Sequence, residues 1–147
     1  MKYKLIIDSE AEEEIIARVR CPGKLTEEIE NLVNAYTGNT YITVSDADEL
    51  TRIEFSDIEC ITVAQRKVYA IDKAGKKHRV GQRLCDLERQ LPYYFIRINK
   101  SALANENRIA RFATVYSGAV DAHFKCGYKE YVSRRCFADI KRRWNVK

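Results

Sequence analysis

Three short clusters hold the side chains best suited to chemistry in this chain. Gln65, Arg66 and Lys67 ("QRK") sit between two alternating apolar segments. Arg97, Asn99, Lys100 and Ser101 crowd into "FIRINKS", and Asn105 follows four residues later. Ser133, Arg134 and Arg135 open the C-terminal stretch "SRRCFADIKRRW". Guanidinium and ammonium groups supply charge for phosphates, and arginine can bond guanine bidentately. Asparagine and glutamine match the edge of adenine, and a helix N-terminus offers free N–H groups to phosphate oxygens. Each cluster alone also suits an ordinary polar turn or a solvated basic face.

Catalysis has less to build on. The two histidines, His78 and His123, are far apart and lie in no nucleophile–base pattern. Gly38, Gly75, Gly81, Gly118 and Gly127 read as isolated turn residues rather than a phosphate-binding loop. The acidic residues form no pair spaced for shared acid and base roles. The five cysteines, Cys21, Cys60, Cys85, Cys126 and Cys136, have no C-x-x-C spacing and suggest reduced thiols in a cytoplasmic protein without a metal. These features point to a binder with no cofactor and no small-molecule substrate.

These clusters need a scaffold, and the hydrophobic pattern describes one. The chain has 147 residues, of which 46% are hydrophobic and 32% charged, the balance of a folded domain. "KYKLIID" and "EIIARVR" alternate as two strands, and "LTEEIENLVNAY" has helical spacing with Thr26 as its cap and "TGN" as its end. From Tyr41 onward come ten short candidate strands: "YITVS", "LTRIEF", "ECITVA", "KVYAID", "KKHRV", "YFIRI", "SALAN", "RIARFATVY", "VDAHFK" and "EYVS". A helix with Leu84, Leu87 and Leu91 on one face interrupts them, and a final helix capped by Ser133 carries Phe137, Ile140 and Trp144. The expected division is residues 1–40, a small β-β-α unit, and residues 41–147, a mostly β domain with short helices. Charge divides nearly the same way, with 5 basic and 11 acidic residues in 1–50 against 21 and 10 in 51–147. A basic module of this kind suits a polyanion or an acidic protein partner. RNA is less well matched, because no aromatic pair is placed as a stacking platform.

Taken in order, these segments resemble the LytTR-type DNA-binding domain of bacterial transcriptional regulators. The family hallmark, Phe-x-Arg-x-His-Arg-Ser followed by Asn and Ile at spaced positions, is met by Phe95, Arg97, Ser101, Asn105 and Ile109. Asn99-Lys100 stands where most members have His-Arg. "SDIECITVAQRKVYAID", "GQRLCDLERQL" and "YVSRRCFADIKRRW" are similar to the domain's opening strand pair, middle helix and closing helix. The resemblance implies an elongated fold of small antiparallel sheets. It also implies loops inserted into successive major grooves and a bent duplex. Carried over, it implies DNA contacts from Gln65, Arg66, Lys67, Arg97, Asn99, Lys100, Ser101, Asn105, Ser133, Arg134 and Arg135. The β-β-α front is similar to that of small stand-alone regulators. That implies repeated promoter half-sites, a homodimer, a possible membrane-protein partner and no receiver domain.

Overall fold

A computed structural model of the chain describes residues 1–11, 14–36 and 40–144. Helix α1 (Lys24–Tyr36) is followed by β1 (Tyr41–Asp46), β2 (Glu49–Glu54), β3 (Ile58–Ala64), β4 (Lys67–Asp72) and β5 (Lys77–Val80). Helix α2 (Leu84–Gln90) comes next, then β6 (Phe95–Asn99), β7 (Ala102–Asn105), β8 (Ile109–Thr114), β9 (Val120–Phe124), β10 (Lys129–Val132) and α3 (Arg134–Arg143). All pairings are antiparallel. Seven strands form one sheet in the order β2-β1-β5-β4-β3-β7-β6, and three form a second in the order β10-β9-β8. The ten strands coincide with the ten expected segments, and the fold is mostly β with three short helices.

Alternation on the strands sends side chains into two cores. Ile42, Val44, Ile53, Ile61, Val68, Val80 and Leu103 fill one, closed by Leu84 and Leu87 of α2 and by Leu91 after it. Cys60, Ile71, Ile96, Ile98, Ala102 and Ala104 face the other, where Ala122, Phe124 and Val132 of the small sheet and Ile140 of α3 cover them. Strands β3 and β7 are therefore buried on both faces, which suits their mostly apolar sequences and leaves Glu59, Thr62 and Asn105 as buried polar groups. Leu84, Leu87 and Leu91 are all buried, as their spacing predicts.

The front of the chain departs from the sequence reading. No strand forms in the described part of residues 1–23, and every described residue there is exposed, including Tyr3, Leu5, Ile7, Ile15 and Val19. Two strands alone bury too little apolar surface to hold a ribbon, and no third strand or helix covers these. Helix α1 does form, but Thr26 is not its cap. The helix begins earlier, with Glu27 N–H bonding the Gly23 carbonyl at 3.1 Å. Thr26 Oγ1 instead reaches back, accepting from Gly23 N–H at 2.9 Å, as one half of a capping box does. The expected "TGN" terminator lies outside the described residues.

Candidate nucleic-acid interface

The β3–β4 hairpin closes through Gln65 and Arg66 between the paired Ala64 and Lys67. Both turn residues have positive φ, 51° and 64°, the left-handed pair of a type I′ turn, where Asn-Gly is the usual choice. Left-handed backbone costs roughly 1–2 kcal/mol per residue with a side chain, so the turn holds strain. It presents Gln65, Arg66 and Lys67 to solvent.

Two backbone hydrogen bonds bring the other clusters to the same end of the large sheet. Val63 N–H donates to the Ser101 carbonyl at 2.8 Å, placing the β6–β7 turn beside the end of β3. Ser133 N–H donates to the Ile98 carbonyl at 2.8 Å, placing the start of α3 beside the end of β6. Ser133 Oγ then accepts from Cys136 N–H at 3.2 Å and caps α3, as expected. Arg134 and Arg135 fill the first helical turn, both exposed. Cations are disfavoured by the helix dipole there, but an anion arriving at that end meets both the guanidinium groups and the free N–H groups.

The asparagines of the central cluster face inward. Asn99 is 9% exposed; its Nδ2 donates to the Tyr131 carbonyl at 2.6 Å, and its Oδ1 accepts from Ser101 N–H at 2.7 Å. Asn105 is 1% exposed, donates to the Ile58 carbonyl at 3.0 Å and accepts from Asn107 N–H at 3.0 Å. Arg97 is partly covered: Nη1 donates to the Lys100 carbonyl at 2.9 Å and Nη2 to Glu88 of α2 at 2.5 Å. These three brace the turn, whereas Lys100 and Ser101 are exposed at its tip. The sequence reading turns Asn99 outward with its neighbours. In the structure a register shift between Arg97 and Asn99 turns it inward.

Two contributors escape sequence reasoning. Glu59 is fully buried on β3 and accepts from Arg108 Nε at 2.5 Å and from Cys126 N–H at 2.9 Å. It thereby locks the β9–β10 turn and the lead-in to β8 onto the large sheet, and its hydrogen bond raises the pKa of Arg108. Nothing in "SDIECIT" distinguishes that glutamate from a solvent-facing one. Arg83 is exposed in the segment leaving β5. The pairing of Val68 with Val80 sets that segment beside Lys67. Its basic character is visible in "GQR", but there it reads only as the lead-in to a helix. Among the described residues no cluster of His, Cys, Asp and Glu could hold a metal, and no helix is long and apolar enough to cross a membrane.

Comparison with known proteins bears on this arrangement. The description of the LytTr DNA-binding domain matches residues 48–145. Proteins of Staphylococcus aureus named as uncharacterized HTH-type transcriptional regulators, from strains bovine RF122 / ET3-1 and MSSA476, are 30% identical over 99% of this chain and 99% of their own length. That match runs through the front residues as well. Among the described residues, however, strands separate all three helices, so no helix-turn-helix unit is present. A LytTr DNA-binding domain from Bacillus cereus shares the fold with a TM-score of 0.65 at 20% identity, covering 71% of this chain and 96% of that one. With a family description that spans most of the sequence and full-length relatives beside it, the chain belongs to the LytTR DNA-binding domain family.

Proposed function

We propose that the chain is a sequence-specific double-stranded DNA-binding transcriptional regulator. The observation that carries this reading is the convergence of three exposed cationic segments at one end of a rigid sheet: the β3–β4 turn, the β6–β7 turn and the start of α3. Family membership and the regulator names of the relatives support it. Lys67 and Lys100 hold phosphates, while Arg134 or Arg135 approaches base edges. Gln65, Arg66 and Ser101 complete the outward set. Arg97, Asn99, Asn105 and Ser133 act by holding the turns in place. Loops at this end enter successive major grooves, and the duplex bends between repeated half-sites in a promoter. The protein acts as a binder rather than an enzyme. Its control does not run through a receiver domain within residues 1–40, where one helix is the only regular element described. The exposed apolar front instead makes a homodimer or meets a membrane-protein partner.

The test is binding of the purified chain to fragments of its own upstream region as salt is raised. Duplex binding through several phosphates gives a log–log slope of about −0.9 per contact. An Arg134→Ala, Arg135→Ala double variant should lose specific retention, with roughly 1–3 kcal/mol lost per base-reading arginine. Unchanged retention would remove α3 from the interface. Salt-independent binding, or none to any genomic duplex, would favour an acidic protein as the partner.

A further inference from the structure

The small sheet and α3 cover only part of one face of the large sheet. Over β3, β6 and β7 that face is buried against Ala122, Phe124, Val132 and Ile140. Over β5, β1 and β2 it is open, as is the end of β4 nearest Lys67. On these strands Val68, Val80, Ile42, Val44 and Ile53 point the other way, into the core with α2. The open side therefore carries Lys67 and Tyr69 of β4, Lys77 and Arg79 of β5, Thr43 and Ser45 of β1, and Arg52 of β2. The register fixes their neighbours: Tyr69 lies opposite Arg79, Arg79 opposite Ser45, and Thr43 opposite Arg52.

Four cations, Lys67, Lys77, Arg79 and Arg52, thus stand in a band across four adjacent strands. At about 4.8 Å per strand, β4 to β2 spans roughly 14 Å, about four base-pair rises of 3.4 Å along one DNA strand. Among the described residues none of the four is ion-paired. Elsewhere Arg97, Arg108, Arg142 and Arg143 all have carboxylate partners. Two acids border the band: Glu54, opposite Tyr41 at the outer edge, and Glu130, which already accepts the Tyr128 hydroxyl at 2.6 Å. Two of the cations lie over aromatic rings: the Arg52 guanidinium is 4.6 Å from the centre of Tyr41, and that of Arg79 is 5.9 Å from Tyr69. Those contacts orient the arginines at little entropic cost. They also occupy the rings, so neither tyrosine is free to stack a nucleobase as single-strand binders require.

We infer that this open face is a second phosphate-binding surface, which receives the backbone of the duplex flanking the segment held by the end loops. The inference rests on the duplex-binding reading above. Lys67 belongs to both surfaces and makes them continuous, so a duplex bent around that end would run onto the band. Contacts of this kind strengthen binding without reading sequence and make it depend on fragment length.

The experiment compares two duplexes with the same binding site. One ends at the edges of the site and the other extends about two helical turns beyond each edge. For the wild-type chain, the longer duplex should bind more tightly and with a steeper salt slope. In an Arg52→Gln, Arg79→Gln variant that advantage should vanish. The slope on the long duplex should be shallower by about 1.8, at 0.9 for each of two phosphate contacts, and the short duplex should bind as before. Arg52→Gln alone, on an exposed edge strand, should remove about half the effect and guards against misfolding of the double variant. If the variants keep the wild-type length dependence and slope, the inference is overturned while the duplex reading stands. An equal loss on both duplexes overturns the flank assignment, and so does a loss confined to single-stranded oligonucleotides. A wild-type chain with no salt-dependent duplex binding overturns both readings together.

Discussion

The amide of Asn99 is used at both ends, by the Tyr131 carbonyl and by the Ser101 N–H, while the adjoining Lys100 side chain stands in solvent. Neighbours in sequence therefore have different parts to play. Asn99→Ala should destabilise the fold by about 1–3 kcal/mol, because buried hydrogen-bonding groups are left unsatisfied. Urea unfolding would show it as a lowered midpoint. Lys100→Ala should leave stability within about 0.5 kcal/mol, but should flatten the salt dependence of duplex binding by about 0.9. If the two variants exchanged phenotypes, this division of labour between Asn99 and Lys100 would be wrong. "RINKS" by itself shows one apolar residue, Ile98, among four polar ones and a crowd of donors. Which donors are consumed by the fold depends on Tyr131, more than thirty residues away, so that distinction was not legible in the sequence.

Among the elements, the joining of β1, β4 and β5 depends on ionisation. His78, nearly buried, has Nδ1 2.5 Å from Asp46 Oδ2 and Nε2 2.7 Å from Asp72 Oδ2. A neutral imidazole has one N–H and cannot donate to both carboxylates, so the arrangement calls for the cation. Burial pushes the His78 pKa down, but the bonds to Asp72 and Asp46 outweigh it and raise the value above the ordinary 6.5. The His78 hydrogen bond holds Asp46 below the ordinary 3.8. In Asp72 burial works upward, and the bonds from His78 and from the Lys76 and Ala74 N–H groups overcome it. The histidine contribution to stability is thus complete below pH 6.5 and disappears as pH rises through its raised folded value. The two aspartates contribute fully above 3.8 and lose this as pH falls through their lowered values. Melting temperature should therefore decline as pH rises beyond 6.5, and His78→Gln should flatten that decline. A wild-type melting curve indifferent to pH in that range would contradict the paired geometry. Strand positions here were readable from "KKHRV" and "KVYAID". The ion triad was not, because its members come from three strands brought together only by the sheet.

For the whole molecule, the uneven distribution of charge and of exposed apolar surface belongs to one question. The first fifty residues carry an excess of six acidic groups and the rest an excess of eleven basic ones. Tyr3, Leu5, Ile6, Ile7, Ile15 and Ile16 are all more than half exposed. So many exposed apolar side chains suit an association site, and on the reading proposed above its occupant is a second copy of the chain or a membrane protein; a truncation tests the first. Deleting residues 1–23 should halve the mass measured by light scattering. Because the basic end is untouched, salt-dependent binding to a single half-site should be retained. Equal masses for the full and shortened chains would count against self-association through the front.

From Tyr41 onward the amino-acid sequence alone determined where strands and helices form, because alternation and helical periodicity are local properties of side chains. It placed ten strands, the leucine face of α2 and the Ser133 cap, and the order of its segments was enough to show the family resemblance. Tertiary structure alone decided which side of each strand is covered. The shift in β6 turned Asn99 inward, burial of β3 on both faces enclosed Glu59, and the limited reach of the small sheet left Lys67, Arg79 and Arg52 uncovered. It also decided that the alternating front segments remain unpaired within the chain. The physical reason is common to all of these. A two-residue period specifies that a strand has two faces, but whether a face meets water, a helix or another sheet depends on residues distant in sequence.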